Sequence, residues 1–341
     1  MLNDHPPIFI VGAPRSGTTL LRSFLAASDE IAIPPESHFL VYLFHRYRGR
    51  LERWTPADTT RVLRDVVIDA HFLDWKLPAV LVWEEAEREP PTSFAEAITC
   101  PHRAFARREG KRWWGDKTPH YLFALGELDE MFPQMRVVHL VRDGRDVACS
   151  HLDLRGRGEG WVAPSTPSVA AWWRASLRTA RRLAPRFGDR YLELRYEDLV
   201  ADPERYVETL CDFAGLTYSQ AMITERSTRI VVSDDPIFAR ANQAVDRKAR
   251  NWRDELSKTQ IVQFEAVAGD ELERHGYALS GNHGTALERT AARVRGEAFI
   301  TWRTARRWSR QQAHRYAKPV ARSKQKLRTR AARARAGQDP A

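Results

Sequence analysis

The residues best suited to chemistry begin at Gly12. Gly12-Ala13-Pro14-Arg15-Ser16-Gly17-Thr18-Thr19 has the glycine spacing of a phosphate-binding P-loop, but places Thr18 where that motif has lysine. Backbone N–H groups and a helix N-terminus at such a turn can still hold a phosphate, and Arg15, Ser16, Thr18 and Thr19 add donors. What this loop lacks is the lysine that would reach the terminal phosphate of a nucleoside triphosphate. A second cluster is Arg142-Asp143-Gly144-Arg145, which leaves an apolar run and precedes Ser150, two helical turns beyond Arg142. Arg142 and Ser150 meet one anion if this loop folds back towards the helix face; otherwise the segment is a solvated charged turn.

These clusters need elements to hold them. Ile8–Val11 reads as a buried strand, and residues 18–27 as a helix with Leu20, Leu21, Phe24 and Leu25 on one face. Ile31–Ile33 reads as a second strand, stopped by Pro34 and Pro35 just before Glu36. Residues 39–108 are largely helical in pattern, rich in Trp and Arg, and broken at Pro56, Pro78, Pro90 and Pro91, as in an inserted cap. Arg136–Val141 is a third strand, followed by a helix from Asp146. Tyr191–Leu194 is a fourth, followed by a helix over Pro203–Ala214 that Gly215 ends. Such alternation predicts an α/β fold, a P-loop-like parallel sheet flanked by helices, with ligands bound at the strands' carboxyl ends, where both polar clusters lie.

The chain has 341 residues, 43% of them hydrophobic, enough for one substantial core. Its formal charge of +10 is unevenly spread. Residues 287–341 carry 16 Lys and Arg against 3 Asp and Glu, so residues 1–286 hold 38 against 41. The reading is a domain over residues 1–285, with a helical cap insertion at about 39–110, and a basic helical C-terminal tail over 286–341. The tail suits any polyanion or anionic membrane surface and specifies no nucleic acid. Within it, Phe299, Ile300 and Trp302 begin an apolar stripe among arginines, as in an interfacial helix or one docked on the body. Cys100, Cys149 and Cys211 form no CxxC pair, which argues against a disulfide framework and a thiolate zinc site. No apolar run approaches the about 18 residues that span a bilayer, and the first residues lack a signal-peptide pattern, so a cytoplasmic chain, peripheral at most to a membrane, is expected.

Three segments, PRSGTTLLRSFL, VRDGRDVACS and LRYEDLVADPE, resemble in order and spacing the motifs of the sulfotransferases that use 3′-phosphoadenosine 5′-phosphosulfate (PAPS), over roughly residues 8 to 255. The resemblance implies that Arg15, Ser16, Gly17, Thr18 and Thr19 contact the 5′-phosphate, that Arg142 and Ser150 contact the 3′-phosphate, and that Tyr196 lies near the adenosine. Arg247 and Lys248, in a late basic segment whose family glycines are absent here, are carried over to the 3′-phosphate as well. Glu36 is similar in place to the catalytic carboxylate of the protein-tyrosine sulfotransferases and is expected to act as base, with His38 as its rival. A glutamate base serves best with its pKa raised, and Pro34, Pro35 and Phe39 suggest an apolar setting that would raise it.

Lys117, in Trp113-Trp114-Gly115-Asp116-Lys117-Thr118-Pro119, resembles the family's catalytic lysine and would offset leaving-group charge together with Arg15, while Asp116 orients the site. No metal is expected. The acceptor would be a hydroxylated small molecule, glycan or lipid in a pocket shaped by the cap. Trp75, Trp83, Trp161, Trp172 and Trp173 either line that pocket or fill the core. The alternatives are a P-loop kinase-like phosphotransferase, which would need the absent loop lysine and a magnesium-binding aspartate, and a polyanion-binding protein acting through its tail.

Overall fold

The computed structural model describes residues 5–159, 162–226 and 251–316. Five short strands, β1 (Ile8–Gly12), β2 (Ile31–Ala32), β3 (Trp113–Lys117), β4 (Arg136–Val141) and β5 (Tyr191–Arg195), form one parallel sheet in the order β2-β3-β1-β4-β5. The central β1 is buried along its whole length, as a parallel strand covered on both faces must be, and so reads Ile-Phe-Ile-Val without alternation. Ile10 lies opposite Lys117 on one side and Val138 on the other, and Gly12 opposite Leu140. This register brings the carboxyl ends of β1, β3 and β4 together.

β3 is the strand that periodicity does not announce, because Gly115, Asp116 and Lys117 interrupt it. Glycine is required there: a Cβ on Gly115 would sit 2.8 Å from the Ile8 carbonyl oxygen of the neighbouring strand.

One face of the sheet carries α1 (Thr18–Ala26), whose Leu21, Phe24 and Leu25 pack with Ile8, Ile10, Val138 and Leu140. The other face is covered by the helices between β2 and β3: α2 (Phe39–Tyr47), α3 (Pro56–Val67), α4 (Ala70–Leu73), α5 (Ala79–Arg88) and α6 (Phe94–Arg108). Their Phe39, Phe44, Leu63 and Ile98 share one core with Phe9 and Trp114 of the sheet. The cap is thus continuous with the sheet's own packing. At about 1.5–3 kcal/mol for each fully buried large apolar side chain, that shared core holds the cap in place. Thr55 and Asp58 form a reciprocal capping box at the start of α3, and Ser93 caps α6.

A short helix, α7 (Leu125–Met131), leads into β4. Beyond β4 run α8 (Gly144–Gly156) and α9 (Thr166–Leu183); beyond β5 run α10 (Tyr196–Ala201), α11 (Pro203–Ala214) and α12 (Ala221–Thr224). The last part comprises α13 (Trp252–Glu255), α14 (Lys258–Arg274) and the long α15 (Ala286–Tyr316). α15 lies against α9, α14 and α2. Close approach depends on Gly296, where a Cβ would stand 3.1 Å from both the Ala171 Cβ and the Pro167 carbonyl oxygen. Ala292 is buried in the same seam, and Arg293 Nε donates to the Ala266 carbonyl at 2.9 Å. The first part of the basic segment is therefore a docked helix. No described helix is long and apolar enough to cross a membrane.

Candidate active site

The Gly12–Thr19 loop turns tightly between β1 and α1. Arg15 and Gly17 take positive φ values of 74° and 93°, and Ser16 N donates to the Ala13 carbonyl at 3.1 Å. No side chain caps the N-terminus of α1, so its first amides face the loop. The ring of Tyr196 lies against Gly17 so closely that a Cβ there would be 2.3 Å from Tyr196 Cδ2. On the ring stands the Arg142 guanidinium, 4.3 Å from the centroid. Arg15 Nε donates to Ser150 Oγ at 3.0 Å. The two clusters read from the sequence thus meet at two points, Arg15 with Ser150, and Gly17 with Arg142 through Tyr196.

Ser16 Oγ and Arg142 Nε are buried and have no hydrogen-bond partner among the described residues. Buried donors of this kind, one cationic, around open helix amides fit phosphate oxygens. Arg247 and Lys248 lie outside the described residues.

At the end of β3, Lys117 Nζ donates to Glu36 Oε1 at 2.5 Å and to Thr19 Oγ1 at 3.4 Å. His38 Nε2 donates to the other carboxylate oxygen, Glu36 Oε2, at 2.8 Å. The loop bearing Glu36 is pinned to the chain after β3. Ser37 N donates to Thr118 Oγ1 at 3.1 Å, Ser37 Oγ pairs with the Tyr121 hydroxyl at 2.8 Å, and that hydroxyl also accepts from Leu40 N at 3.1 Å.

Burial alone would raise the Glu36 carboxyl, but Lys117 and His38 together outweigh it and hold the group well below the usual carboxylate range. The expectation of a raised glutamate is thereby reversed, because the apolar prolines are overruled by an ammonium drawn from 81 residues away. Lys117 is itself pushed down by burial, with Glu36 opposing. Arg22, buried behind this pair, donates from Nε to the Ile33 carbonyl at 2.8 Å, and burial brings it down to about 10 against the pull of Glu36 and Asp116. Asp116 turns away from the loop and meets His102 of α6 at 3.2 Å, both fully buried.

From His38 a wall of rings leads outward. His71 lies 4.5 Å and His120 5.9 Å from it between centroids. His120 and His151 both lean on Trp172, at 5.3 and 5.6 Å, and the Arg303 guanidinium of α15 stacks 3.6 Å over the same indole. Burial brings His120 down to about 3, helped by His38 and Arg303, and His151 to about 4, helped by Arg15 and Arg303 against a hydrogen bond to the Pro14 carbonyl. Both imidazoles are neutral at neutral pH.

Residues 6–220, from the start of β1 to the approach to α12, match the family described as the sulfotransferase family. The chain belongs to the sulfotransferase family. It is 25% identical over 221 residues to protein-tyrosine sulfotransferase 1 of Danio rerio, covering 64% of this chain and 56% of that one. It therefore spans little more than half the length of that relative. It is also 27% identical over 346 residues to the nodulation protein NoeE of Sinorhizobium fredii, covering 90% of this chain and 76% of the other. Among solved structures, the sulfotransferase domain of the Synechococcus PCC 7002 olefin synthase superposes with a TM-score of 0.52 at 26% identity, over 88% of this chain and 98% of that one.

The structure groups Arg15, Ser16, Gly17, Thr18 and Thr19 with Arg142, Ser150 and Tyr196, and sets Lys117, paired with Glu36, beside Thr19. His139 is tied at β4 to Glu193 and Tyr191, at 3.0 and 2.8 Å. Of the tryptophans, Trp75, Trp172 and Trp173 are buried in cores, Trp83 packs partly buried against one of them, and Trp161 lies outside the described residues. Sequence reasoning did not find Arg22, His71, Tyr121 or Arg303. Only for Tyr121 was there a nearby signal, its place four residues after Lys117.

Proposed function

We propose that this sulfotransferase takes its sulfuryl group from PAPS and passes it to a hydroxyl acceptor, with Glu36 as proton acceptor and Lys117 as the cation over the leaving group. The observation that carries the reading is the Lys117–Glu36–His38 chain set beside Thr19, at the end of a phosphate-type loop. PAPS, when bound, supplies an activated sulfuryl group whose bond to the 5′-phosphate breaks as the acceptor oxygen's bond to sulfur forms.

The loop amides, Ser16 and Arg15 would hold the 5′-phosphate end. Arg142 and Ser150 would hold the 3′-phosphate, and Tyr196, braced between Gly17 and Arg142, would flank the base. Such fixed donors need little reorganisation as charge develops. Lys117 lies within reach of both Glu36 and Thr19, so its ammonium can serve the carboxylate or an anion held at the loop. With Lys117 drawn to the anion, Glu36 loses the charge that opposes burial, its basicity rises, and Oε1 is released to take the acceptor's proton. His38 remains on Oε2 and holds the carboxylate's orientation.

The test is Glu36→Gln, assayed with labelled PAPS and by calorimetry with adenosine 3′,5′-bisphosphate. Loss of a positioned base should lower kcat by roughly 10²- to 10⁴-fold while leaving bisphosphate affinity nearly unchanged. Unaltered turnover would move the role to another group. The same calorimetry with ATP and Mg²⁺ addresses the phosphotransferase alternative, which requires ATP to bind more tightly than the bisphosphate.

A further inference from the structure

The seam that docks α15 uses one side of the helix. Ala292 and Gly296 lie in it, and Phe299 and Ile300 pack against the core that α8, α9 and α14 share. The opposite side is built differently. Leu287, Ala291, Val294, Ala298, Trp302 and Ala305 follow one another at intervals of four, three, four, four and three residues, the spacing that keeps side chains on one face of a helix. The large members of this face stand in solvent: Leu287 is 80%, Val294 63% and Trp302 52% exposed. The stripe runs about 27 Å along the helix. A helix on the surface of a soluble domain turns its apolar stripe inward and its charges outward. α15 has an inward apolar side and a second one facing out.

Charge decides what suits that outer face. Arg295 and Arg306 border it, and the Arg306 guanidinium stands 5.0 Å over the Trp302 ring. Residues 287–341 hold 16 Lys and Arg against 3 acidic residues, and two of those three are engaged on the protein. Glu288 accepts from Thr285 N at 2.7 Å and from Thr285 Oγ1 at 3.0 Å, and Glu297 pairs with Arg174 at 3.3 Å. A second copy of the chain would bring a segment of the same positive sign, which opposes self-association through this face. Nucleic acid would meet the positive charge but leave Leu287, Val294 and Trp302 against its phosphates. An anionic bilayer offers both phosphate for the arginines and an apolar layer beneath the headgroups.

We propose that the outer face of α15 rests on an anionic lipid bilayer. The helix lies in the plane of the surface, with Leu287, Val294 and Trp302 entering between the headgroups and the basic residues of the segment meeting lipid phosphates. Its other side is seated on α9 and α14, so the body of the enzyme is carried to the surface with it. The inference concerns where the enzyme works and is independent of the group it transfers.

The experiment sediments the full chain with sucrose-loaded vesicles of phosphatidylcholine, alone or in a three-to-one mixture with phosphatidylglycerol. Binding to the mixed vesicles should be tighter by roughly tenfold or more, and should weaken as salt is raised. Leu287→Ser and Val294→Ser together remove apolar contact without touching charge. They should lower affinity for the mixed vesicles by roughly tenfold to a hundredfold, with Tm unchanged because both side chains lie outside the core. A chain that stays in solution with the mixed vesicles overturns the proposal. So does a double variant that binds them as the parent does, since charge alone would then account for attachment. Tighter binding to a short DNA duplex than to the mixed vesicles at equal salt would make the segment a nucleic-acid arm instead. Light scattering that shows a dimer in the parent and a monomer in the double variant would give the face to a second copy.

Discussion

At the scale of single residues, the site is governed by which charges are forced together. Glu36 is held ionised by Lys117 and His38 against its own burial, so removing the ammonium should undo much of the shift. In Lys117→Met, burial is left opposed by His38 and the charge of Arg22, and the carboxyl should move up from its depressed position towards the ordinary range. NMR of ¹³Cδ-labelled glutamate across pH 2–8 measures this directly, and a Glu36 resonance that keeps its low midpoint would show that Lys117 is not what holds it down.

The histidines make a second prediction. His120 and His151 titrate at about 3 and about 4 in the folded chain and near 6.5 when unfolded. The unfolded state therefore binds more protons between these values. Their contribution is complete above about pH 6.5 and is lost as pH falls towards 4, by an amount on the order of a few kcal/mol. Tm should drop steeply over that window, and replacement of His120 by Phe should flatten the slope. What the sequence makes legible at this scale is contiguous: Arg15, Ser16, Gly17 and Thr18 announce themselves because one short string holds them. The state of Glu36 does not, since it is set by Lys117, and neither does the ring wall, assembled from residues 38, 71, 120, 172 and 303.

At the scale of elements, four of the strands are legible in the sequence: β1, β2, β4 and β5 carry apolar or alternating runs, and their ends come within a residue of the expected ones. β3 is illegible for a physical reason. Its middle must be glycine to clear Ile8, and its end must carry Asp116 and Lys117 into the site, so function and packing together erase the apolar pattern. The pinning of the Glu36 loop is likewise tertiary. Tyr121, in the 3₁₀ turn after β3, uses one hydroxyl to engage both Ser37 Oγ and Leu40 N. Tyr121→Phe removes that hydroxyl and leaves two buried polar groups unsatisfied, at a cost of about 1–3 kcal/mol. Urea denaturation should show the lower stability. Turnover should fall with bisphosphate affinity little changed, because Glu36 loses its brace while the Gly12–Thr19 loop keeps its own. If kcat is untouched at full occupancy, the loop does not need Tyr121 to position Glu36.

At the scale of the whole molecule, the decisive feature is how α15 is attached. Composition marks the segment as basic and little else, and its apolar positions suit an interfacial helix as well as a docked one. What favours docking is a set of partners far away in the chain: Ala171 and Pro167 against Gly296, Ala266 receiving Arg293, and Trp172 beneath Arg303. The proposed donor cradle, in contrast, is built from residues 12–19, 142–150 and 196, none of which α15 supplies. Displacing the helix should therefore separate the two halves of the site. Gly296→Leu is the least invasive way to do so, because even a Cβ there approaches Ala171 and Pro167 to 3.1 Å and Val267 to 3.3 Å. A leucine must lift the helix or shift α9, at a cost of roughly 1–3 kcal/mol of overpacking. Adenosine 3′,5′-bisphosphate should bind this variant as it binds the parent, while KM for the acceptor rises. Parallel losses of donor and acceptor binding would instead mean that α15 braces the whole fold and contributes nothing particular to the acceptor.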